Sequence, residues 1–583
     1  MFGLILIVAT TLAYQPAWNG QPIWDDEVHI TPHGLRSLHG LARIWTDPTA
    51  APQYYPVLGT VFWIEYALWH DRPPLYHLVN ISLHVFAALL LLRIFRRLEI
   101  RGAWLAVAVF ALHPVQVESV AWISELKNVL SAVFGFLAAI AYLRFDSERK
   151  LGWYVVALLC FVLGLMTKSV IAMLPVALLI ALWWKRGRLE GRRDRPLIPF
   201  FLVGAIAGLI TAWIEQRFVD ASGESFAFSF VDRCLIAGHA FWFYLTKLFW
   251  PGNLMLIYPR WQINASALGQ WIFPIAVIVL LGTSWMVRQR TRAPLAALLS
   301  FAALLFPTLG FINVSYFQFS FVADHFPYLA STPIIALVCG TGTALLSGCT
   351  RPVKTIGSVC GLALLILLGA LTWRHSALFK NPETIFRDVV TKNSDSPTAH
   401  NNLAGALMDR GATEEAILHF RKALELKADY QFANYNLGAA LVQQGGDLDE
   451  AIVRLKSALR ENPNDPRAYY TLANALSKQG NVNDAIAYYG RALRLAPDFP
   501  DAHTNLANLM LARGNKSGAI EHYRDALRIQ PNNPQAHYNL AVGLVRNGEP
   551  DAAIPELRIV LQIDPEYPDA GPLLRDLLAR KQP

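Results

Sequence analysis

Cysteine is scarce in this chain of 583 residues, and its distribution excludes two kinds of cross-linked protein. The five cysteines lie in or beside apolar runs, no two form a C-x-x-C pair, and none lies beyond residue 360: Cys160, Cys234, Cys339, Cys349 and Cys360. Disulfide-rich domains and cysteine zinc sites both need cysteines at characteristic close spacings. We therefore expect no disulfide framework and no zinc site. As separate expectations, we predict no other metal site and no bound cofactor.

The excess of positive charge is confined to the first part of the chain. Residues 1–373 contain 27 Lys and Arg against 18 Asp and Glu, whereas residues 374–583 contain 24 against 25. In the first part, basic clusters separate apolar runs such as "YVVALLCFVLGLM" (154–166), as in a chain that crosses a bilayer repeatedly. This pattern predicts membrane lipids as partners and excludes nucleic acid, and the length excludes a single compact core.

Eleven apolar segments are predicted to span the membrane. The first lacks a basic n-region and a small-residue cleavage site, so we interpret it as an uncleaved span. The segments are centred on residues 1–17, 76–95, 102–114, 128–145, 152–168, 170–184, 197–214, 270–287, 294–311, 328–347 and 355–373.

The basic residues predict the orientation of these spans, because they concentrate in the short loops after every second one. The positive-inside rule makes those loops and the N-terminus cytoplasmic, and everything after Trp373 extracytoplasmic. The apolar stretch 234–250 would reverse every later loop if it were a span, so we interpret it as a re-entrant or interfacial helix. The outer compartment is the periplasm if this is a bacterial inner-membrane protein, the location that we favour, and the lumen of the endoplasmic reticulum if it is eukaryotic.

The C-terminal part repeats itself. The stretch from Pro397, "PTAHNNLAGALMDRGATEEAILHFRKALELKADY", is followed by similar stretches from Gln431, Pro466, Pro500 and Pro534. A period of this length, with Leu and Ala on one helical face and Gly at the turn, is the tetratricopeptide repeat (TPR) pattern. We predict an extracytoplasmic α-solenoid of five repeats and a capping helix over 397–583, joined by a connecting helix in 374–396 to a transmembrane domain over 1–373.

One position in these repeats suggests peptide binding. The residue before the core leucine is a carboxamide in four repeats and Thr471 in the middle one: Asn402, Asn436, Asn505 and Asn539. A carboxamide donates and accepts hydrogen bonds, so a row of them can hold the backbone of an extended acceptor peptide. The arrangement resembles the asparagine ladder of the O-GlcNAc transferases. Alternatively, these asparagines only contact water.

The predicted outer ends of the spans carry acidic and basic residues together. Ionisable groups at membrane depth are unfavourable and usually mark a site. They are Asp25, Asp26 and Glu27 in "WDDE", Glu65, His113, Glu118, Glu125, Lys127, Lys168, Arg260, Asp324 and His325. Such a cluster suits sugar transfer from a lipid phosphate, because basic side chains can hold the phosphate while a carboxylate takes the proton of the acceptor hydroxyl.

Five segments extend this interpretation: "WDDE", "YYPV", "FALHPVQVESVAWISELKNVLS", "LFWPGNLMLIYPRWQI" and "FSFVADHFPYLAS". With the repeats, they resemble the TMTC-type protein O-mannosyltransferases and their bacterial TPR-containing relatives, of the GT-C class of polyprenyl-phosphate-sugar glycosyltransferases. The resemblance implies an all-α, GT-C-like membrane domain and an inverting, metal-independent enzyme. It also implies a polyprenyl-phosphate sugar, with mannose as the expected sugar, as the donor and co-substrate.

The resemblance also implies residue roles. A first-loop acid is the base, which is Asp25, Asp26 or Glu27 here, with Asp26 preferred. Lys127, Lys168, Arg260 and His325 are expected to bind the donor phosphate, and Glu65, His113, Glu118, Glu125 and Asp324 are expected to line the pocket. The chain departs from the family pattern at Leu126 and Gln318, where basic residues are expected.

Simpler roles remain open for several of these residues. The "WDDE" acids could cap a helix, His113 could only end one, and Lys168 could extend to the membrane interface. Glu118 and Glu125, seven residues apart, would share a helical face and form either a pocket wall or its wet rim. Two other functions also compete with the enzyme: a membrane-anchored TPR scaffold and, less favoured, a lipid-linked sugar transporter.

Overall fold

The computed structural model describes residues 2–51, 53–218 and 226–580. All regular structure in these residues is helical, and none of them forms a strand, so the predicted all-α class is confirmed. The chain divides into two compact units, Met1–Ser396 and Pro397–Pro583.

The first unit contains eighteen α-helices in its described residues. In chain order they are α1 (Phe2–Ala13), α2 (Asp26–His29), α3 (Leu38–Thr46), α4 (Pro56–Trp69), α5 (Pro73–Arg97), α6 (Ala103–Leu112), α7 (Val117–Ala121), α8 (Leu126–Glu148), α9 (Leu151–Leu165), α10 (Leu174–Arg186), α11 (Gly191–Asp194), α12 (Ile198–Phe218), α13 (Phe230–Phe249), α14 (Ile272–Met286), α15 (Ala293–Leu305), α16 (Ser331–Ser347), α17 (Arg351–Ser376) and α18 (Pro382–Lys392).

Six helical segments in the described residues are long and apolar enough to cross a membrane, or seven if the bent pair α6 and α7 forms one span. They contain α5, α8, α10, α12, α14 and α17. Shorter apolar helices, α1, α9, α15 and α16, lie at four other predicted segments. The chain is a membrane protein, but the predicted number of eleven spans is not confirmed. The helix α13, which contains all of the segment 234–250 except its last residue, is not among the six.

The helix α8 is the most buried of these segments, followed by α5. Ala87 and Ala88 of α5 and Ala132 and Ala138 of α8 have no exposed surface, and small side chains of this kind let neighbouring helices approach closely. The outer helices α14 and α17 are largely exposed within the unit, as expected of surfaces that face lipid. The N-terminal end of α8 therefore lies in the interior of the unit.

The chain breaks twice between α6 and α8. Pro114 follows α6, and the segment after it is bent by 52°. Trp122 then has an extended backbone (φ −83°, ψ 123°), which ends α7 and separates Glu118 from Glu125. The prediction that these two acids share one helical face is therefore wrong. The break also frees backbone N–H groups that a continuous helix would have used.

The second unit is a stack of helix pairs with a final single helix in its described residues. They are α19 (Pro397–Asp409), α20 (Thr413–Leu426), α21 (Gln431–Gln444), α22 (Leu448–Glu461), α23 (Pro466–Lys478), α24 (Val482–Leu495), α25 (Pro500–Ala512), α26 (Lys516–Ile529), α27 (Pro534–Asn547), α28 (Pro550–Ile563) and α29 (Ala570–Ala579).

Two repeated features of the sequence build each pair. A glycine with positive φ separates the two helices of every pair, at Gly411, Gly445, Gly480, Gly514 and Gly548, and glycine adopts this left-handed conformation without steric strain. The fourth residue of the second helix in every pair is an alanine without exposed surface: Ala416, Ala451, Ala485, Ala519 and Ala553. The small side chain allows the helices of a pair to pack closely.

Candidate functional site

The acids of the "WDDE" stretch meet the break before α8. Asp26 is buried, and its two carboxylate oxygens accept hydrogen bonds from the backbone N–H of Ile23 (2.8 Å) and of Ser124 (2.7 Å). The hydroxyl of Ser124 donates to Asp25 at 3.0 Å. Two residues that are distant in sequence from Ser124 are thus held against it.

The residue before these acids supports the same contact. Trp24 has a φ of +48°, which is unfavourable for a residue with a side chain, and its ring stacks on that of Trp122 at 5.7 Å between centroids. Conformations of this kind persist only where the surroundings hold them, and they often occur at functional sites. The contact between the two indole rings holds the backbone before Asp25 and Asp26, and so helps to orient their side chains.

The capping alternative does not describe these acids. Asp25 lies at the N-cap position of α2, but its side chain accepts no capping hydrogen bond from that helix. Its oxygens contact Ser124 and, at 3.4 Å, Nδ1 of His29 instead. Glu27 is exposed on α2 and lies outside this set of contacts.

Burial changes the proton affinity of Asp26. It raises the pKa of Asp26 to about 8, and the neighbouring charge of Asp25 acts in the same direction, while the N–H groups of Ile23 and Ser124 oppose the shift. A carboxylate with a pKa near the working pH can both lose and accept a proton readily. Such a carboxylate has the proton affinity that a general base needs.

Two lysines surround Glu125, the residue after Ser124. Nζ of Lys127 lies 2.8 Å from one oxygen of Glu125, and Nζ of Lys168 lies 3.7 Å from the other. Lys168 also donates to the side-chain oxygen of Asn128, whose amide donates to Glu125. The ammonium group of Lys168 is thus bound within the protein and mostly buried.

A second acidic group comes from the "VADHF" segment. Nδ1 of His325 lies 2.6 Å from Oε1 of Glu118, and the backbone N–H of Asp324 donates to Oε2 of Glu118 at 3.1 Å. The hydroxyl of Tyr258 donates to both oxygens of Asp324, at 2.9 and 3.0 Å. Burial raises the pKa of Asp324 to about 7, and the bond from Tyr258 opposes the shift.

The two groups are connected through Ser119. The amide of Asn128 donates to the hydroxyl of Ser119 at 3.3 Å, and that hydroxyl donates to the backbone carbonyl of His325 at 3.5 Å. The peptide bond between Ser124 and Glu125 connects these groups to Asp25 and Asp26, which contact Ser124. We call the whole set, from five parts of the sequence, the acid–lysine network. Its members are Asp25, Asp26, Glu118, Ser119, Ser124, Glu125, Lys127, Asn128, Lys168, Tyr258, Asp324 and His325.

Besides Glu27, three candidate residues of the sequence analysis have other surroundings: Glu65, His113 and Arg260. Glu65 lies on α4 beside an apolar cluster that includes Phe62 and Tyr76, and neither of its oxygens has a hydrogen-bond partner in the described residues. The ring nitrogens of His113 contact the backbone carbonyl of Leu248 and the backbone N–H of Val115.

The guanidinium of Arg260 lies over two aromatic rings, 5.0 Å from the centre of the Phe321 ring and 5.8 Å from that of Phe228. The two departures from the family pattern also differ in placement. Leu126 is fully buried among apolar side chains, whereas Gln318 is exposed. Lys127, next to Leu126, provides the positive charge at this place.

Sequence reasoning missed Ser119, Ser124, Asn128 and Tyr258, which complete the network. Three of them lie inside the motif "VESVAWISELKN", in which only the charged residues were singled out. Tyr258 lies in "LIYPRWQI", two residues before Arg260. The signal available for each was a polar residue within an otherwise apolar motif.

An apolar cavity of about 640 Å³ lies between the membrane helices. Its walls come from α5, α8, α10, α15 and α16, and its lining includes Ile171, three residues after Lys168, and Leu329, four residues after His325. Elsewhere the lining includes Leu98 and Arg101, at the loop after α5. The cavity thus extends from that loop to segments that carry members of the acid–lysine network.

In the second unit, the amide groups of the asparagine row contact the preceding repeat. Asn505 donates to Asn474 (3.1 Å) and Asn539 donates to Asn508 (3.1 Å), whereas Asn436 donates to Asn401 (3.0 Å). The side-chain oxygen of Asn402 accepts from Asn401. A cavity of about 550 Å³ is lined by Thr471, Asn474, Asn505 and Asn508, among others.

Known proteins resemble both the repeats and the larger part of the chain. Models of the tetratricopeptide repeat match residues 405–445, 443–488, 470–534 and 511–580. Solved TPR structures that resemble the second unit include YrrB (23% identity, 34% of this chain, 97% of that chain, TM-score 0.29) and PilF of Pseudomonas aeruginosa (19% identity, 34% and 88%, TM-score 0.31).

The curated relatives are named protein O-mannosyl-transferases. They include F38B6.6 of Caenorhabditis elegans (24% identity, 73% of this chain, 63% of the relative), TMTC1 of Homo sapiens (24%, 67% and 50%) and TMTC4 of Mus musculus (24%, 72% and 65%). The chain spans between half and two thirds of the length of these relatives. The resemblance predicted from the sequence motifs is thus confirmed, and the chain is similar to the TMTC-type protein O-mannosyl-transferases over about 70% of its length.

Proposed function

We propose that this protein is an inverting, metal-independent glycosyltransferase of the GT-C type that transfers a sugar, mannose by analogy with its relatives, from a polyprenyl phosphate to a hydroxyl of a protein. The observation that carries the proposal is the position of Asp26, which is buried and accepts hydrogen bonds from two backbone N–H groups, one of them that of Ser124. The next residue is Glu125, whose carboxylate binds Lys127 and Lys168. A base and a phosphate-binding pair are therefore neighbours.

The phosphate of the donor binds at Lys127 and Lys168. Both ammonium groups now share the carboxylate of Glu125, which keeps them charged and close together in a buried place. A phosphate has more acceptor oxygens than a carboxylate and can accept from both lysines. The imidazole of His325, fixed by Glu118, is a further donor at the same site.

The transfer is a single displacement. The hydroxyl oxygen of the acceptor attacks the anomeric carbon from the face opposite the phosphate, and the bond between that carbon and the phosphate oxygen breaks. The hydroxyl proton passes to the carboxylate of Asp26, and the leaving polyprenyl phosphate retains the electron pair. The developing negative charge is stabilised by the two lysines, which are already in position before the reaction.

The lipid part of the donor occupies the apolar cavity. A polyprenyl chain is flexible and apolar, and the cavity is lined by apolar side chains of five helices and extends toward Ile171 and Leu329. Burial of such a chain would be favourable by about 25 cal/mol for each Å² of apolar surface removed from water. The same contact orients the phosphate toward Lys168.

The solenoid binds the protein acceptor. The carboxamides of Asn402, Asn436, Asn505 and Asn539 recur once per repeat, and the neighbouring asparagines that contact them fix their orientation. This regular row suits the regular backbone of an extended peptide. By the positive-inside rule, the acid–lysine network and the solenoid are both extracytoplasmic, in the periplasm for a bacterial cell.

The proposal is tested by supplying membranes that contain the protein with a panel of radiolabelled polyprenyl-phosphate sugars. We expect label to enter protein with one donor, and to be lost in a variant that combines Asp25→Asn, Asp26→Asn and Glu27→Gln. Full transfer by this folded triple variant contradicts the proposal.

A scaffold function gives a different result. If the protein acts only as a membrane-anchored TPR scaffold, no donor gives label and the solenoid attached to an unrelated span restores the cellular function. If it is a glycosyltransferase, the attached solenoid restores nothing, because the acid–lysine network belongs to the first unit.

A further inference from the structure

Two histidines and an aspartate meet inside the repeat formed by α25 and α26. Nδ1 of His503 lies 3.0 Å from Nδ1 of His522 and 4.0 Å from Oδ2 of Asp525. Within the described residues, only here do ligand atoms of three His, Cys, Asp or Glu side chains all lie within 4.8 Å of one another. We propose that these three side chains bind a divalent transition-metal ion, with Zn²⁺ as the best fit.

The backbone fixes His503 in the form that a metal needs. Nε2 of His503 lies 3.0 Å from the backbone carbonyl of Pro497, which can only accept, so Nε2 carries the proton and donates. In the neutral ring, Nδ1 then has a free electron pair that points at His522. A histidine that donates its other N–H to a backbone carbonyl is the usual arrangement of a metal ligand.

The distances also suit a zinc ion. Zinc binds imidazole nitrogen and carboxylate oxygen at about 2.0–2.2 Å in a tetrahedral arrangement, so two of its ligand atoms are about 3.3 Å apart. The observed separations of 3.0 and 4.0 Å lie on either side of this value. His503 is buried, whereas His522 and Asp525 are partly exposed, so small rotations of the outer two side chains can complete the site and an ion can enter.

The other repeats provide natural controls. His400 and His419 occupy the equivalent positions in the first repeat, with Nδ1 atoms 2.9 Å apart, but Lys422 stands where the carboxylate of Asp525 would be. In the fifth repeat, Nδ1 of His537 lies 2.6 Å from Glu556, and Ile559 takes the place of Asp525. A histidine pair thus occurs in the first and the fourth repeat, and the carboxylate of Asp525 distinguishes the site of the fourth.

A bound ion would link α25 to α26 directly. The helix α25 also carries Asn505 and Asn508, which line the cavity of the solenoid beside Thr471 and Asn474. The inference does not depend on the proposed enzymatic function, because it concerns only the second unit. It departs from the sequence analysis, which expected no zinc site because it considered cysteine spacings and not ligands on two different helices.

The test is zinc binding by the full chain in detergent micelles, after removal of metal with a chelator. We expect zinc chloride to bind tightly to the unaltered chain, measured by calorimetry and by competition with a fluorescent indicator. His522→Ala and Asp525→Asn should each weaken this binding by about tenfold or more. His419→Ala, the matched change in the first repeat, should leave the affinity unchanged, and His522→Cys should restore binding because a thiolate is also a zinc ligand.

Circular dichroism establishes that each variant keeps its helices, so a loss of binding reports the ligands and not the fold. Two results overturn the inference: no tight zinc binding by the unaltered chain, or the same affinity in His522→Ala and Asp525→Asn as in the unaltered chain. Sugar transfer is not the readout, so these outcomes are independent of the proposed function.

Discussion

The carboxylate of Asp26 accepts a hydrogen bond from the backbone N–H of Ser124 at 2.7 Å, across 98 residues of sequence. This N–H is available because the chain breaks at Trp122, between α7 and α8. The first-loop acids are therefore fixed against the segment that carries Glu125 and Lys127. This contact is the structural basis of the proposed base.

The pH dependence of sugar transfer should follow Asp26. The base acts in its ionised form, and burial and the charge of Asp25 raise its pKa to about 8, so kcat/KM should rise with pH up to about that value. In Asp25→Asn the neighbouring charge is absent, which lowers the pKa of Asp26 and shifts the rise to lower pH. Rate profiles from pH 5 to 9 in both proteins measure this; coincident profiles would contradict it.

The ion pairs of Glu125 should be important for stability. Glu125→Gln leaves the buried ammonium groups of Lys127 and Lys168 without their shared carboxylate, and breaking a buried pair usually destabilises a protein by about 3–5 kcal/mol. The matched control is Glu99→Gln, which breaks the exposed pair with Lys185 and should change stability far less, because solvent screens exposed ion pairs. Thermal unfolding in detergent compares the two, and equal effects would show that the buried pairs are not special.

Glu65 should make stability depend on pH. Burial raises its pKa to about 8, so the folded chain binds a proton here that the unfolded chain has already lost above about pH 4.3. The stability from this group is complete below pH 4.3 and is lost as the pH rises through 8. Glu65→Gln should remove this dependence and raise the melting temperature at pH 8, by an amount that corresponds to about 2–4 kcal/mol. A melting temperature at pH 8 that is unchanged or lower in the variant argues against it.

The solenoid prediction concerns the affinity for the acceptor. Asn505→Ala removes a carboxamide of the row and should raise KM for a protein acceptor by about tenfold, with kcat nearly unchanged, because the row is proposed to bind the acceptor and not to take part in the displacement. Asn547→Ala changes an asparagine outside the row, which contacts Glu549, and serves as the control. If both variants behave alike, the row has no special role in acceptor binding.

The sequence predicted the features that recur or that follow from topology. The glycine of each repeat turn identified the helix pairs, because few other residues adopt positive φ there. The sequence analysis grouped Asp26, Glu118, Glu125, Lys127, Lys168 and His325 by their predicted place in the topology, and the structure gives each of them a contact with the segment 118–125 or with its acids.

The structural features that the sequence did not predict depend on the conformation of single backbone positions and on how the helices pack. No pattern marked the break at Trp122, so the predicted common helical face of Glu118 and Glu125 was wrong. The placement of Glu65 beside an apolar cluster follows from how α4 packs, and helical periodicity does not determine it. His503 and His522, the proposed zinc ligands, are 19 residues apart on two helices. They come into contact only when the helix pair forms.

The most direct measurement of the central claim is single-turnover sugar transfer by Asp26→Asn and by Asp25→Asn, with donor binding measured separately in each. We predict that Asp26→Asn binds the polyprenyl-phosphate sugar like the unaltered chain, because Lys127 and Lys168 are intact, but transfers it at least about 100-fold more slowly. Asp25→Asn should retain most of its transfer. Transfer by Asp26→Asn at the rate of the unaltered chain would contradict the account, and loss in Asp25→Asn alone would assign the base to Asp25.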